Sequence, residues 1–243
     1  MKYKFPQPLI EGLIKSRPNR FIMFVEVGGK EQKCHCPSTG RIGDIEFEDI
    51  ACLVSEAENP DRKTKYTVEA ISFDPPSKKS KKWIGINQVK MNRYVEAFFK
   101  EKGFEKMIKG GETIRREKML GKSRIDFKTD KDYIEVKMPL ISLPTPEKFA
   151  TTRPPSKFDS FDRLIKHFND LGGSLKGNSR AIILLCFQYD AQKFTPPKAN
   201  KDNSVIMKAV RKANKKGVEN WQANFKIDKK GIELTKYFSL DLF

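Results

Sequence analysis

Near residue 75 the chain changes its periodicity, and no single sheet or bundle accommodates both parts. From residue 9 to 75 the text is short β-rich runs broken by turn residues, with no helix signal. Phe21-Ile22-Met23-Phe24-Val25-Glu26-Val27 ends at Gly28-Gly29, a hairpin-type turn. Residues 30–35 resume the strand pattern, and Pro37-Ser38-Thr39-Gly40 breaks it. Ile50-Ala51-Cys52-Leu53-Val54 is a short apolar run, and residues 66–73 alternate before Asp74-Pro75-Pro76. About five short strands in so small a span predict a barrel, with an OB-like barrel the leading form. Residues 74–82, DPPSKKSKK, then read as a polar, basic connection.

Beyond it the period becomes helical. Residues 87–102 place Val89, Tyr94, Val95, Phe98 and Phe99 on one face, with Gly103 as the stop. Three strand-like runs follow at 113–120, 123–128 and 133–138, then a proline-punctuated connection over 139–155. Residues 158–171 read as a helix ending at Gly172-Gly173, and 181–187, AIILLCF, as a strand buried on both faces. Residues 203–216 form a basic helix closed by Gly217. The expectation is an α/β (α+β) chain: a small OB-like β-barrel over 1–76, a basic linker over 77–82, and a mixed-sheet domain over 83–243.

The charge follows the same division. Residues 1–75 carry 11 basic and 12 acidic side chains, whereas 76–243 carry 37 and 19. A field of that sign attracts polyanions, nucleic acid first among them, whether DNA or RNA. A plain lysine-rich surface is the competing reading, since 36 of the 48 basic residues are lysine. No apolar run is long enough for a membrane span, and the N-terminus has no apolar signal core. Cysteines at 34, 36, 52 and 186 form no C-x-x-C pair, which fits reduced thiols and a cytoplasmic location.

Chemistry concentrates in 123–138, SRIDFKTDKDYIEVKM. A four-residue turn over Thr129-Asp130-Lys131-Asp132 sets Lys128 opposite Tyr133, Phe127 opposite Ile134 and Asp126 opposite Glu135. Opposed residues share a face, so the two carboxylates are expected about 5 Å apart at Cβ. Ile125, Phe127, Ile134 and Val136 then face the core, and Lys137 joins the acids. If Gly121-Lys122 is also a tight turn, Glu117 falls opposite Asp126. Clustered acids repel unless a hard cation sits among them. Asp126, Glu135 and Glu117 are therefore the candidate ligands for Mg²⁺ or Mn²⁺, and Lys137 the candidate for orienting water or steadying developing charge. The alternative is a solvated strand face carrying a salt bridge.

These residues also resemble the sugar fermentation stimulation protein A family. The matching stretches are Pro8-Leu9, Arg20-Phe21, His35-Cys36-Pro37-Ser38-Thr39-Gly40, Asn92-Arg93, Ser123-Arg124-Ile125-Asp126-Phe127, Tyr133-Ile134-Glu135-Val136-Lys137, Arg163, Lys166-His167, Arg180-Ala181 and Gly217-Val218-Glu219. The resemblance implies an OB-like domain followed by a restriction-endonuclease-like domain of the PD-(D/E)xK type, DNA binding, and control of sugar-utilisation genes. It maps the nuclease motif onto Asp126, Glu135 and Lys137, with Glu117 a fourth. Ser38, Met138-Pro139 and Leu164 depart from the family's usual residues, and none of these touches the acidic trio.

Further candidates for nucleic-acid contact are Arg124, whose fork suits phosphate, and Arg163, Lys166 and His167, which the resemblance places near it, the equal alternative for Lys166 and His167 being that they simply cover the helix surface. Lys208, Arg211, Lys212 and Lys215 stand at helical spacing as one basic stripe, opposite Ile206, Ala209, Val210 and Ala213, suited to a phosphate backbone or simply to the dipole at a helix C-terminus. Phe21 and Phe24 suit base stacking or, more simply, a barrel core. Cys34-His35-Cys36 lacks a second ligand pair for zinc and reads as strand. Two functions of different class follow: a metal-dependent nuclease, and a DNA-binding regulator that keeps the fold without the chemistry.

Overall fold

In the computed structural model, residues 1–38, 40–109, 113–141, 143–151, 162–175, 179–196 and 203–242 are described. After a three-residue strand β1 (Lys2–Lys4), five strands build a closed barrel: β2 (Ile10–Asn19), β3 (Ile22–Val27), β4 (Lys30–His35), β5 (Ala51–Glu56) and β6 (Tyr66–Ser72). Gly28 and Gly29 both adopt positive φ, the backbone that a two-residue hairpin turn between β3 and β4 requires. The spatial order is β4-β3-β2-β5-β6, and a parallel pairing of Cys34 with Tyr66 and His35 with Thr67 closes the ring. That is the OB-like barrel expected of this segment.

The second part is a seven-stranded mixed sheet. It is preceded by β7 (Ile84–Gly85) and α1 (Gln88–Lys100), and continues through β8 (Arg115–Leu120), β9 (Ser123–Lys128) and β10 (Asp132–Lys137). Then follow α2 (Asp162–Gly173), β11 (Arg180–Phe187), α3 (Ser204–Lys215), β12 (Glu219–Ile227) and β13 (Gly231–Leu240). The sheet order is β1-β13-β12-β11-β10-β9-β8. The pairings β10–β11 and β11–β12 are parallel and the others antiparallel.

α1 covers one face with Met91, Tyr94, Val95, Phe98 and Phe99; Val89, expected beside them, is 73% exposed. α2 and α3 cover the other face, packing Phe168, Leu171, Ala209, Val210 and Ala213 over Ile183 and Leu185. Residues 158–161 of the expected second helix lie outside the described residues.

β12 and β13 are absent from the sequence reading, because β12 hides its strand character behind buried polar side chains. Gln222 and Asn224 are fully buried and bond to each other, while their amides donate to the Gln192 and Ala191 carbonyls. The 77–82 stretch is tethered: Lys78 pairs with Asp74 at 2.7 Å and Lys81 with Glu11 at 2.5 Å.

The chain crosses between the two parts twice. β1 adds to β13 of the large sheet, and β7 adds to β6 of the barrel. At that joint a Cβ on Gly85 would lie 2.1 Å from Gln188 Oε1, so only glycine fits. Glu69 of the barrel, 1% exposed, accepts hydrogen bonds from Asn87 and Lys90 at the start of α1. One apolar core runs from Ile14 and Val25 in the barrel through Phe98 to Phe225 in the large sheet.

Candidate catalytic site and nucleic-acid interface

The β9–β10 turn is built by Thr129, whose Oγ1 accepts from the Asp132 N–H at 2.9 Å. It sets the expected register, with Tyr133 opposite Lys128 and Ile134 opposite Phe127. The next rung is different in kind. Asp126 turns its carboxylate into the ladder, and Oδ2 accepts the Val136 N–H at 2.8 Å. Oδ1 accepts from Asn92 of α1 at 2.7 Å. Side-chain alternation is lost here: Phe127 packs on the α1 side with Ile134 and Val136, but Ile125 packs beneath α2 and α3. The expectation that all four share one face is thus corrected at Ile125.

Glu135 follows on β10, its side chain 2% exposed. Its Oε1 accepts from Lys137 Nζ and from His167 Nδ1 of α2, while Oε2 is buried without a partner among the described residues. Against an ionised carboxylate, Nδ1 must be the protonated ring nitrogen. Burial works against Glu135's charge, yet the His167 hydrogen bond and the Lys137 ammonium outweigh it and hold the carboxyl below its ordinary pKa. Asp126 moves the other way. Burial, reinforced by the neighbouring Glu135 charge, raises it despite the Val136 and Asn92 hydrogen bonds.

Glu117 does not join them. It sits in register opposite Asp126, but its φ of 52° is left-handed and turns the side chain outward. There its carboxylate is 55% exposed and lies 3.5 Å from Arg124 Nη1. Among the described residues no three His, Cys, Asp or Glu side chains come together as a metal cage. The expected trio is therefore a pair, Asp126 and Glu135.

His167 is also corrected. It is 4% exposed and occupied with Glu135, so it positions a carboxylate instead of presenting itself to phosphate. Lys166 is exposed, with Nζ 2.5 Å from the Lys122 carbonyl, and Arg124 has 65% of its side chain exposed. The Arg163 side chain lies outside the described residues. Lys208, Arg211, Lys212 and Lys215 are all exposed, on the side of α3 away from Met207, Ala209, Val210 and Ala213. Phe21, at the β2–β3 turn, is 51% exposed beneath the Arg20 guanidinium. Cys34 and Cys36 are buried free thiols in and just after β4.

The sequence reading quoted Asn92 only as part of the family resemblance and missed its hydrogen bond to Asp126, and it missed the role of His167. A polar residue on the flank of the apolar face of α1 was the available signal for the first.

A barrel of OB type joined to a mixed sheet, with buried Glu135, half-buried Asp126 and Lys137 where the β9–β10 pairing ends, defines a two-part protein with one acidic site on its larger sheet. Residues 16–86 match the SfsA N-terminal OB domain family, and residues 89–231 match the family described as the sugar fermentation stimulation protein RE domain. The chain belongs to the sugar fermentation stimulation protein family. It is 32% identical over 208 residues to the homolog of Clostridium novyi (strain NT), covering 84% of each chain. To that of Clostridium tetani (strain Massachusetts / E88) it is 32% identical over 226 residues, covering 90% of this chain and 91% of the relative. A solved structure of Pyrococcus furiosus SfsA, in complex with Ca²⁺, shares the fold across 100% of both chains at a TM-score of 0.77 and 19% identity. Among the described residues no helix is long and apolar enough to cross a membrane.

Proposed function

We propose that the protein binds nucleic acid, DNA before RNA, in the cytoplasm, and cleaves phosphodiester bonds with Mg²⁺ or Mn²⁺ at Asp126, Glu135 and Lys137. The observation that carries the reading is Glu135, a buried carboxylate with one oxygen unpartnered among the described residues and Asp126 close enough to feel its charge. Two neighbouring carboxylates with an orphaned oxygen are a donor set that suits a hard divalent cation. Asp126 and Glu135 would hold that cation, and it would supply Lewis-acid polarisation of the scissile phosphate. The solved Pyrococcus furiosus relative was obtained in complex with Ca²⁺, a cation of the same hard class.

The chain's own groups divide the remaining work. Asn92 and the Val136 N–H fix the Asp126 carboxylate. His167 fixes Glu135. The Lys137 ammonium, with 30% of the side chain exposed, stands where it can steady negative charge developing on phosphate or orient an incoming water. Arg124, Lys166 and the α3 stripe supply phosphate contacts.

A second reading, a non-catalytic DNA-binding regulator, is favoured by the outward turn of Glu117. Incubating DNA and RNA substrates with Mg²⁺, Mn²⁺ or a chelator separates the two. Metal-dependent cleavage that disappears in Glu135→Gln and in Lys137→Ala supports the nuclease. Binding without cleavage under either metal leaves the regulator.

A further inference from the structure

Burial does not explain why residues 115–120 form a strand. Arg115, Arg116, Glu117, Lys118 and Met119 are all exposed, and only Leu120 is partly covered. β8 is the outermost strand of the large sheet and is held by its ladder to β9. Yet the pair carries cations far beyond what pairing favours. Residues 115–128 hold Arg115, Arg116, Lys118, Lys122, Arg124 and Lys128 against Glu117 and Asp126. Arg115 stands directly opposite Lys128, an arrangement that weakens a ladder. Neighbouring acids offset part of this: Arg116 lies 3.4 Å from Glu96, which Lys100 also engages at 3.0 Å, and Arg124 lies 3.5 Å from Glu117, leaving the hairpin net positive.

A lysine or two suffices to keep an edge strand from pairing with another chain. Three arginines along one hairpin point elsewhere, since guanidinium forks match phosphate oxygens two at a time. The position matters as much as the charge. Asp126 lies on β9, inside this hairpin, and the hairpin turn rests on α2, where Lys166 Nζ donates to the Lys122 carbonyl at 2.5 Å.

We propose that the exposed β8 edge, through Arg115, Arg116, Lys118 and Lys122, seats the phosphate backbone of the bound nucleic acid and leads it toward Asp126. This rests on the proposal that the protein binds nucleic acid, and names which surface does the binding. A nucleic-acid strand is the occupant that charge selects, because a run of phosphates can lie along an edge strand whose cationic side chains are all exposed.

The test uses the full chain with a chelator present, so that binding is read without cleavage. Anisotropy of fluorescein-labelled duplex DNA, single-stranded DNA and RNA is measured across a salt series. The variant Arg115→Gln/Arg116→Gln/Lys118→Gln alters only exposed side chains, and its fold is checked by circular dichroism and thermal melting. A charge-matched control, Lys30→Gln/Lys33→Gln/Lys63→Gln, changes exposed barrel lysines.

The expected result is affinity roughly tenfold weaker in the β8 variant than in the control. Its salt slope should be shallower by about 0.9 for each phosphate that the variant no longer neutralises. If wild type binds and the β8 variant matches the control in affinity and slope, the β8 assignment is overturned and the nucleic-acid reading stands. If wild type binds none of the three polymers, both fall.

Discussion

At the scale of single residues, Glu135 shows how a charge is kept inside a protein. A buried carboxylate without partners protonates or unfolds the site; Glu135 instead has the His167 ring and the Lys137 ammonium on one oxygen. His167→Ala removes a hydrogen bond to a charged group and is expected to lower stability by about 1.5–3 kcal/mol, read by denaturant unfolding. His167→Gln, whose amide still donates, should lose less. The cysteines give a second outcome at this scale. All four thiols are buried, and burial pushes Cys34 up to about 11 and Cys52 higher still. Thiol reagents at pH 8 should therefore leave the native protein almost unlabelled and label all four positions after denaturation. Rapid labelling of the folded chain would contradict this packing.

Among the elements, the three central parallel strands begin on one electrostatic staple. Asp132, Arg180 and Glu219 are the first residues of β10, β11 and β12. Arg180 reaches Asp132 at 2.5 Å and grips Glu219 with two bonds of 2.8 and 2.7 Å. Asp132 is fully buried, so Arg180→Met would take a cationic partner away from a buried carboxylate. The expected loss is about 3–5 kcal/mol, measured by chemical unfolding. Burial opposes the charge of Glu219, but the guanidinium outweighs it and holds that carboxyl below its usual range. Its contribution is therefore present above the unfolded carboxyl pKa and is lost as pH falls through the lower, folded value. In Arg180→Met the acid limb of stability against pH should flatten, whereas an unchanged limb would place the titration elsewhere.

At the scale of the whole molecule, the two parts are not independent. The N-terminal strand closes the far sheet, β7 closes toward the barrel, and one apolar core joins them. Calorimetry is expected to give a single cooperative transition, and residues 83–243 expressed alone should fail to fold, since they lack β1 and the barrel side of that core. Two well-separated transitions, or a folded fragment, would disprove the shared core. The uneven charge makes a further prediction. Nucleic-acid affinity should fall steeply with salt, and a flat plot of log K against log salt would remove the electrostatic reading.

The periodicity alone determined that a β-only barrel precedes an α/β sheet, because alternation and helical spacing are local properties of neighbouring residues. Turn chemistry alone determined that Tyr133 pairs with Lys128, since a short loop fixes its own register. Other features came only from tertiary structure, each because it depends on groups far apart in the chain. Asn92, 34 positions from Asp126, pulls that carboxylate into the ladder and ends the regular pairing. His167, 32 positions from Glu135, spends its ring on that acid. A left-handed backbone at Glu117 swings the third acid outward, though its register was legible. β12 stayed hidden because its buried amides are satisfied by loop carbonyls that only the folded chain brings near. Spacing along a chain fixes which residues can share a strand face, while burial and long-range hydrogen bonds decide which of them do.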